Sequence, residues 1–283
     1  MRFAIRPRES LTMNPGIRRR PANSFWQRVR RRWRTWRGAM LAKSHHVEIV
    51  TLGGVDFKRV QFAESATAGL VAGHLEGLEP TGCVPSLVLH EGREVWVEYV
   101  VGRPPDPQIL QGREQLIDFF VALYRCPGVH QSVLPERFHS ALLRDLVFLG
   151  QTGVLTTELQ QSCVDLAERV RPQSAWLGLD YIDPLTKNFI VRGGRAIAID
   201  IEALTGPVPL GQGLAKARLR WPFDPVKAVL DRLADKGGVR LHEQMDWVEL
   251  SFLASYFRQK ILQGKPGHIR MNALEQLVER LTR

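Results

Sequence analysis

Apolar and polar residues alternate over Val47–Leu52 and again over Val55–Phe62, with Gly53-Gly54 between the two runs. Period-two alternation on both sides of a glycine pair predicts a β-hairpin. An Ala/Leu-rich stretch over 63–77 predicts a short helix, which Pro80 and Gly82 end. Val84–His90 and Glu94–Val101 predict two more strands joined across Glu91-Gly92, and Pro104, Pro105 and Pro107 then mark a connector. Beyond the connector the period lengthens, and helices are expected over Leu110–Leu123, Pro135–Leu149 and Thr156–Val170. Strand patterns return over Ala175–Tyr181, Asn188–Val191 and Ala196–Ile201. Arg192-Gly193-Gly194-Arg195 separates the last two as a hairpin turn. Helices close the chain over Phe223–Ala234, Glu243–Leu262 and Ala273–Leu281.

The first 45 residues follow another pattern. Residues 1–22 read as irregular, punctuated by Pro7, Pro15, Gly16 and Pro21. Asn23 or Ser24 then caps a helix expected to run to Lys43. Trp26, Val29, Trp33, Trp36 and Met40 form one stripe of it, while Arg28, Arg30, Arg31, Arg32, Arg34 and Arg37 occupy the other faces. Tryptophan on one side and arginine on the other suits a helix lying on an anionic membrane surface, so residues 24–43 are the expected contact. The same stripe could instead pack on the folded body.

Charge follows this division. Residues 1–40 carry twelve arginines and one acid, Glu9, for +11, whereas the other 243 residues, with 27 basic and 28 acidic side chains, sum to −1. The body is close to neutral and offers no basic patch to extend the tail's footprint, so nucleic acid is not an expected partner. Composition is otherwise that of a globular protein, 44% hydrophobic and 24% charged. No apolar run reaches the length of a membrane span, and no apolar segment of signal-peptide length follows the arginines. Cys83, Cys126 and Cys163 are far apart and odd in number, which argues for reduced thiols rather than a disulfide framework or a zinc site. A cytoplasmic location is expected, with contact to the inner face of a membrane through the tail. The chain thus divides into a basic extension (1–45), a small α+β unit (46–104) and a mostly helical unit (105–283).

The chemistry concentrates between Leu179 and Glu202. Asp183 precedes a strand, Asn188 follows five residues later, and Asp200 ends the next strand. A hairpin there sets Asn188 and Asp200 side by side with Asp183 at the loop mouth. Two carboxylates and an amide are hard oxygen donors of the kind Mg²⁺ takes, completed by substrate phosphates. An unpaired carboxylate after the apolar Ala196–Ile199 run would be costly unless something charged or hydrogen-bonding meets it.

This Asp-x4-Asn loop, followed by a strand pair ending in Ile199-Asp200-Ile201-Glu202, resembles the catalytic and metal-binding segments of the protein-kinase-like phosphotransferases. The resemblance is closest to the branch acting on small molecules and glycolipids, which includes aminoglycoside, choline and lipopolysaccharide-core sugar kinases. It implies a bilobal α+β fold with a β-rich small lobe and a helical large lobe. It implies ATP and Mg²⁺ as cofactors. Asp183 would take the acceptor hydroxyl's proton, and Asn188 and Asp200 would hold the metal. Lys58, with Arg59 as rival, would steady the phosphates, paired with Glu64 or Glu76 of the following helix. Glu98, Tyr99 and Val100 would line the adenine with their backbone. Tyr181 stands where the family has histidine, and Gly53-Gly54 is all that remains of a glycine-rich loop. The expected activity is phosphoryl transfer to a hydroxyl of a small molecule or membrane glycolipid, a lipopolysaccharide-core sugar first. The alternative is an inactive, pseudokinase-type binding module recruited by its basic tail. Lys216, Arg218 and Arg220 follow Asp200 into the region where the acceptor would lie, and form either an anion-receiving group or a solvated basic face.

Overall fold

The structure is a computed structural model that describes residues 18–21, 46–235 and 238–282. The Trp/Arg helix expected over 24–43 lies outside them. Strand β1 (Arg18–Pro21) does not match the irregular reading of that stretch: it pairs antiparallel with β2 (His46–Leu52), Arg18 opposite Thr51. Four residues, three of them arginine, carry no alternation, so the partner strand rather than the local sequence sets this conformation.

Strand β2 turns back through Gly53 and Gly54, at φ +57° and +83°, into β3 (Val55–Gln61). Helix α1 (Ser65–Leu78) follows, then β4 (Leu87–Glu91) and β5 (Glu94–Glu98). These strands form one antiparallel sheet in the order β1-β2-β3-β5-β4. Val50, Val60, Val95 and Val97 are buried in it, and α1 buries Ala68, Val71, Ala72, Leu75 and Leu78. The spacing of those five positions is that of one helical face. Strand β4 begins three residues later than the pattern predicts, and Val84 is buried ahead of it.

The large lobe opens with α2 (Leu110–Leu123). A short strand, β6 (His130–Val133), leads to α3 (Glu136–Gln151) and α4 (Thr157–Arg169). The Thr156 hydroxyl caps α4 by accepting from the Leu159 N–H at 3.2 Å. Strand β7 (Ser174–Tyr181) then enters the core, followed by the hairpin β8 (Phe189–Arg192) and β9 (Arg195–Ala198) and by β10 (Leu204–Pro209). Strand β7 lies between β10 and β6 in a three-stranded sheet. Helices α5 (Gln212–Arg218), α6 (Pro225–Asp235), α7 (His242–Leu262) and α8 (Met271–Thr282) complete the lobe.

One continuous apolar core runs through both lobes. Phe119, Phe120 and Leu123 of α2 and Trp247 and Phe257 of α7 belong to it, and all five are almost fully buried. Burial of side chains this size stabilises by roughly 1.5–3 kcal/mol each, which fixes the frame around the β7–β10 segment. Cys83, Cys126 and Cys163 are all buried and free. Among the described residues no helix is long and apolar enough to cross a membrane.

Candidate active site

Asp183 lies two residues beyond the end of β7, in the loop that returns through a 3₁₀ turn (Thr186–Asn188) to β8. The loop is held from within. The Asn188 amide Nδ2 donates to the Asp183 backbone carbonyl at 2.9 Å and to its Oδ2 at 3.0 Å. Backbone bonds from Leu185 to Asp183 and from Asn188 to Leu185, both 2.8 Å, set the turn. The Asp183 carboxylate keeps about a third of its exposure, and its Oδ1 accepts from the Lys216 ammonium at 2.6 Å. Lys216 also donates to the Ile182 carbonyl at 3.0 Å, which fixes it against the loop.

Asp200 sits at the end of the returning hairpin and opens a 3₁₀ turn over Ile201–Ala203. The Ile199 N–H donates to the Asn188 carbonyl at 2.8 Å, so Asn188 and Asp200 lie on adjacent strands. The spatial grouping expected from sequence for Asp183, Asn188 and Asp200 is therefore present. The Asn188 Nδ2 is committed to Asp183, and the side chains of Asn188 and Asp200 offer an amide and a carboxylate oxygen at the same end of the hairpin. That set of hard oxygens suits a cation completed by phosphate oxygens. Among the described residues no group of three His, Cys, Asp or Glu forms a metal cage, and Mg²⁺ bound through one carboxylate, an amide and phosphates needs none.

Lys58 of β3 reaches across from the small lobe. Its ammonium donates to the Ile199 carbonyl at 2.6 Å and lies 3.6 Å from Glu202 Oε2. This corrects the expected pairing: Glu64 is exposed at the N-terminal boundary of α1, and Glu76 is exposed on the same helix. The partner comes instead from the last residue of Ile-Asp-Ile-Glu, which is buried and in the other lobe. The rival Arg59 is occupied by Glu48 and Glu94 on the face of the sheet.

Glu98, Tyr99 and Val100 lead out of β5 into the connector. The Glu98 and Tyr99 N–H groups bond to Ser86 and Asp56 carbonyls at 3.1 and 3.4 Å, so the segment stays strand-like. The Glu98 side chain accepts two bonds from Arg192, at 2.7 and 3.0 Å, and these hold its carboxyl below the usual range. A second tie follows at once, as the Val191 N–H donates to the Arg103 carbonyl at 2.8 Å. At Gly102 a β-carbon would lie 2.4 Å from the Val191 carbonyl oxygen, so only glycine admits this approach of connector to hairpin.

One supporting residue escaped the sequence reading. Asp180 is fully buried and accepts four hydrogen bonds: from Tyr124 Oη (2.9 Å) and the backbone N–H groups of Tyr181 (2.8 Å), Gly211 (3.0 Å) and Gly213 (3.2 Å). Burial pushes its carboxyl above the usual range, while the four donors oppose that shift. A β-carbon at Gly213 would lie 2.3 Å from the Tyr181 carbonyl oxygen, which shows how closely α5 abuts β7. Tyr181 is also fully buried. Its hydroxyl lies 3.4 Å from the Asn188 carbonyl, and its ring meets Phe119 and Phe189 edge-on at 5.5 and 5.3 Å. Burial, followed by the nearby Asp200 and Asp183 charges, drives its hydroxyl far above the usual phenol range, so it stays a neutral strut. No motif marks Asp180. The apolar flanks Leu179 and Tyr181–Ile182, which place it in a buried strand, are the only signal it leaves in the sequence.

The fold recurs in solved small-molecule phosphotransferases. A macrolide 2′-phosphotransferase of Brachybacterium faecium superposes with a TM-score of 0.56 at 14% identity, covering 85% of this chain and 89% of that one. The fold is the protein-kinase-like one. An aminoglycoside phosphotransferase captured with ADP and hygromycin B shares it with a TM-score of 0.57 at 11% identity, over 85% of this chain and 92% of that one. A fructosamine-3-kinase candidate of Thermobifida fusca shares it with a TM-score of 0.56 at 18% identity, over 85% and 91%. No protein-family profile and no curated sequence matches the chain. Identities this low carry the kinase-like fold and leave the chemistry to the residues of the site.

Proposed function

We propose that this protein is an ATP- and Mg²⁺-dependent phosphotransferase acting on a hydroxyl group. The observation that carries this reading is the junction of Asp183, Asn188 and Asp200, with Lys58 brought to the same strand end from the other lobe. Asp183 orients the acceptor hydroxyl and receives its proton. The acceptor oxygen forms the new bond to the γ-phosphorus as the bond to the β,γ-bridging oxygen breaks, and that electron pair leaves on ADP. Lys58 exchanges its carbonyl contact for the nucleotide phosphates, and backbone groups of Glu98–Val100 receive adenine. Lys216 neutralises charge beside Asp183. Bound at Asn188 and Asp200, Mg²⁺ would supply neutralisation of the phosphate charge. Catalysis of this kind rests on positioning and electrostatics.

The acceptor we favour is a sugar hydroxyl of a lipopolysaccharide-core glycolipid, presented at the inner face of a membrane to which residues 24–43 adhere. The basic extension (1–45) is then an anchoring segment ahead of the lobes at 46–104 and 105–283. Co-sedimentation with anionic vesicles, lost on Trp33→Ala with Trp36→Ala, tests the anchoring; retention by that variant would remove it. Tyr181 does not favour the inactive reading, because its hydroxyl lies against the Asn188 carbonyl and braces the loop from β7.

Transfer from radiolabelled ATP tests the function, with lipopolysaccharide-core oligosaccharide, hygromycin B and fructosyl-lysine as acceptors. Label should appear in an acceptor and fall at least 100-fold with Asp183→Asn, while Mg·ATP binding persists. Equal label transfer by Asp183→Asn would refute the assignment.

A further inference from the structure

Directly below Asp183 the large lobe has a groove of about 570 Å³. Leu185 and Thr186 of the catalytic loop form one wall and Trp221 another, with Lys187, Arg220 and Arg270 supplying its charged groups. The groove belongs to the reaction centre, since Trp221 Nε1 donates to the Pro184 carbonyl at 2.9 Å, one residue beyond Asp183. Its lining carries three cations and no carboxylate.

The pairing of these cations differs from that elsewhere in the lobe. Arg218 bonds Glu249 and Asp224 at 2.6 and 2.9 Å, Arg280 bonds Glu249 and Asp246 at 2.5 and 3.1 Å, and Arg232 bonds Glu114 and Asp118. In the groove, Arg220 instead donates to the Tyr256 hydroxyl at 3.0 Å, and Arg270 to the Leu219 carbonyl at 2.5 Å. Neither they nor Lys187 forms an ion pair among the described residues. Neutral acceptors orient these guanidinium groups while leaving their charge uncompensated. Lys260 adds to the field, its ammonium 4.9 Å above the ring of the same Tyr256. Burial, and after it the neighbouring Lys265, Arg220 and Lys216, makes that ammonium easier to deprotonate, while Asp183 opposes the change. The neutral net charge of the body thus conceals a local concentration of positive charge beside the reacting carboxylate.

Resting on the phosphotransferase reading, we infer that the acceptor is itself an anion: a hydroxyl compound, of sugar type, bearing a phosphate or carboxylate group. The charged group is received by Lys187, Arg220 and Arg270, and the hydroxyl lies at Asp183. Guanidinium groups match such planar or multidentate anions in geometry as well as charge. A cationic amino sugar would meet like charge throughout the groove. Trp221 and Pro222 supply an apolar wall for a sugar face.

Titration calorimetry on the full chain tests this, using glucose 6-phosphate and glucuronate as free anions and detergent-dispersed lipopolysaccharide as the lipid-linked one. Glucose and glucosamine serve as the neutral and cationic comparisons. At least one anionic probe should bind ten times more tightly than glucose, glucosamine should bind no better than glucose, and added salt should weaken the anion. Arg220→Gln should weaken that probe at least tenfold. Lys187→Gln should weaken it severalfold and, being an exposed residue, removes no internal hydrogen bond. Binding of the free sugars assigns a soluble acceptor, and binding of lipopolysaccharide alone assigns a lipid-linked one. Absence of any anion preference, or a preference that survives both substitutions, would overturn the inference. Stabilisation of the wild type by Mg·ATP, measured on the same samples, separates the two failures. If it is present without anion binding, only this inference falls; if it is absent, the phosphotransferase reading falls as well.

Discussion

Replacing Asp180 by Asn tests whether the loop of Asp183 is held as described. The two side chains have almost the same shape, so the change is one of hydrogen-bond polarity. In the wild type all four groups around Asp180 are donors: Tyr124 Oη and Tyr181 N–H at Oδ1, Gly211 and Gly213 N–H at Oδ2. An amide NH₂ must replace one oxygen. At the Oδ2 position it would orphan two backbone N–H groups. At the Oδ1 position the Tyr124 hydroxyl can rotate to accept, leaving only the Tyr181 N–H unpaired, so that orientation wins. One orphaned buried donor costs about 1–3 kcal/mol, and the loss of charge-assisted bonding on the other side keeps the total near 2 kcal/mol or above. For a chain of this size that lowers the melting midpoint by about 4–8 °C. Urea titrations should show an earlier midpoint with an unchanged slope. Asp118→Asn is the control, since Asp118 is largely exposed beside Arg232, and it should cost less than about 0.5 kcal/mol. Asp180→Asn should also lower the transfer rate more than it weakens nucleotide binding, because β7 leads into the loop that holds Asp183. A midpoint within about 1 °C of wild type would refute the reasoning.

The Lys58–Glu202 pair gives a second prediction. Lys58→Met should weaken Mg·ATP at least tenfold in equilibrium binding, and should destabilise the fold by leaving the Glu202 carboxylate buried without its ammonium. Adding Glu202→Gln should restore much of the stability and none of the nucleotide affinity; recovery of affinity would place the phosphate cation elsewhere. A third concerns pH. His74 is buried on α1 with its Nδ1 lacking a hydrogen-bond partner among the described residues, and burial lowers its pKa from 6.5. The unfolded chain therefore takes up this proton first, so the His74 contribution is complete above about pH 6.5 and is lost as pH falls towards the folded value. His74→Leu should flatten the fall in unfolding free energy between about pH 7.5 and 5.5; curves of equal slope for both proteins would contradict this.

The parts of the fold that sequence reveals are those with an internal period. The Val47–Leu52 and Val55–Phe62 alternations around Gly53-Gly54 and the Arg192–Arg195 turn become the hairpins observed, and the apolar stripe of Leu110–Leu123 becomes α2. Strands set by their partners were hidden. His130–Val133 is short and mostly polar, and Leu204–Pro209 is interrupted by Gly206-Pro207, where its register against β7 shifts. In the site, Asp183, Asn188 and Asp200 were legible because one loop and one hairpin bring them together over eighteen residues. The Lys58–Glu202 contact spans two lobes, and sequence distance misdirected it to Glu64. The Asp180 cradle depends on Gly211 and Gly213, thirty-odd residues away. The cations of the groove come from Lys187, Arg220 and Arg270, and only the fold removes the carboxylates from among them.

The most direct test of the central claim is thermal unfolding of wild type and Asp200→Ala with and without Mg·ATP. Ligand at a hundred times its dissociation constant adds about 2.7 kcal/mol, which raises the midpoint by roughly 5–10 °C at this chain length. The account predicts that shift in the wild type, dependent on Mg²⁺ and lost in Asp200→Ala. A wild type that ATP leaves unshifted, or an Asp200→Ala variant that shifts equally with Mg²⁺, would contradict it.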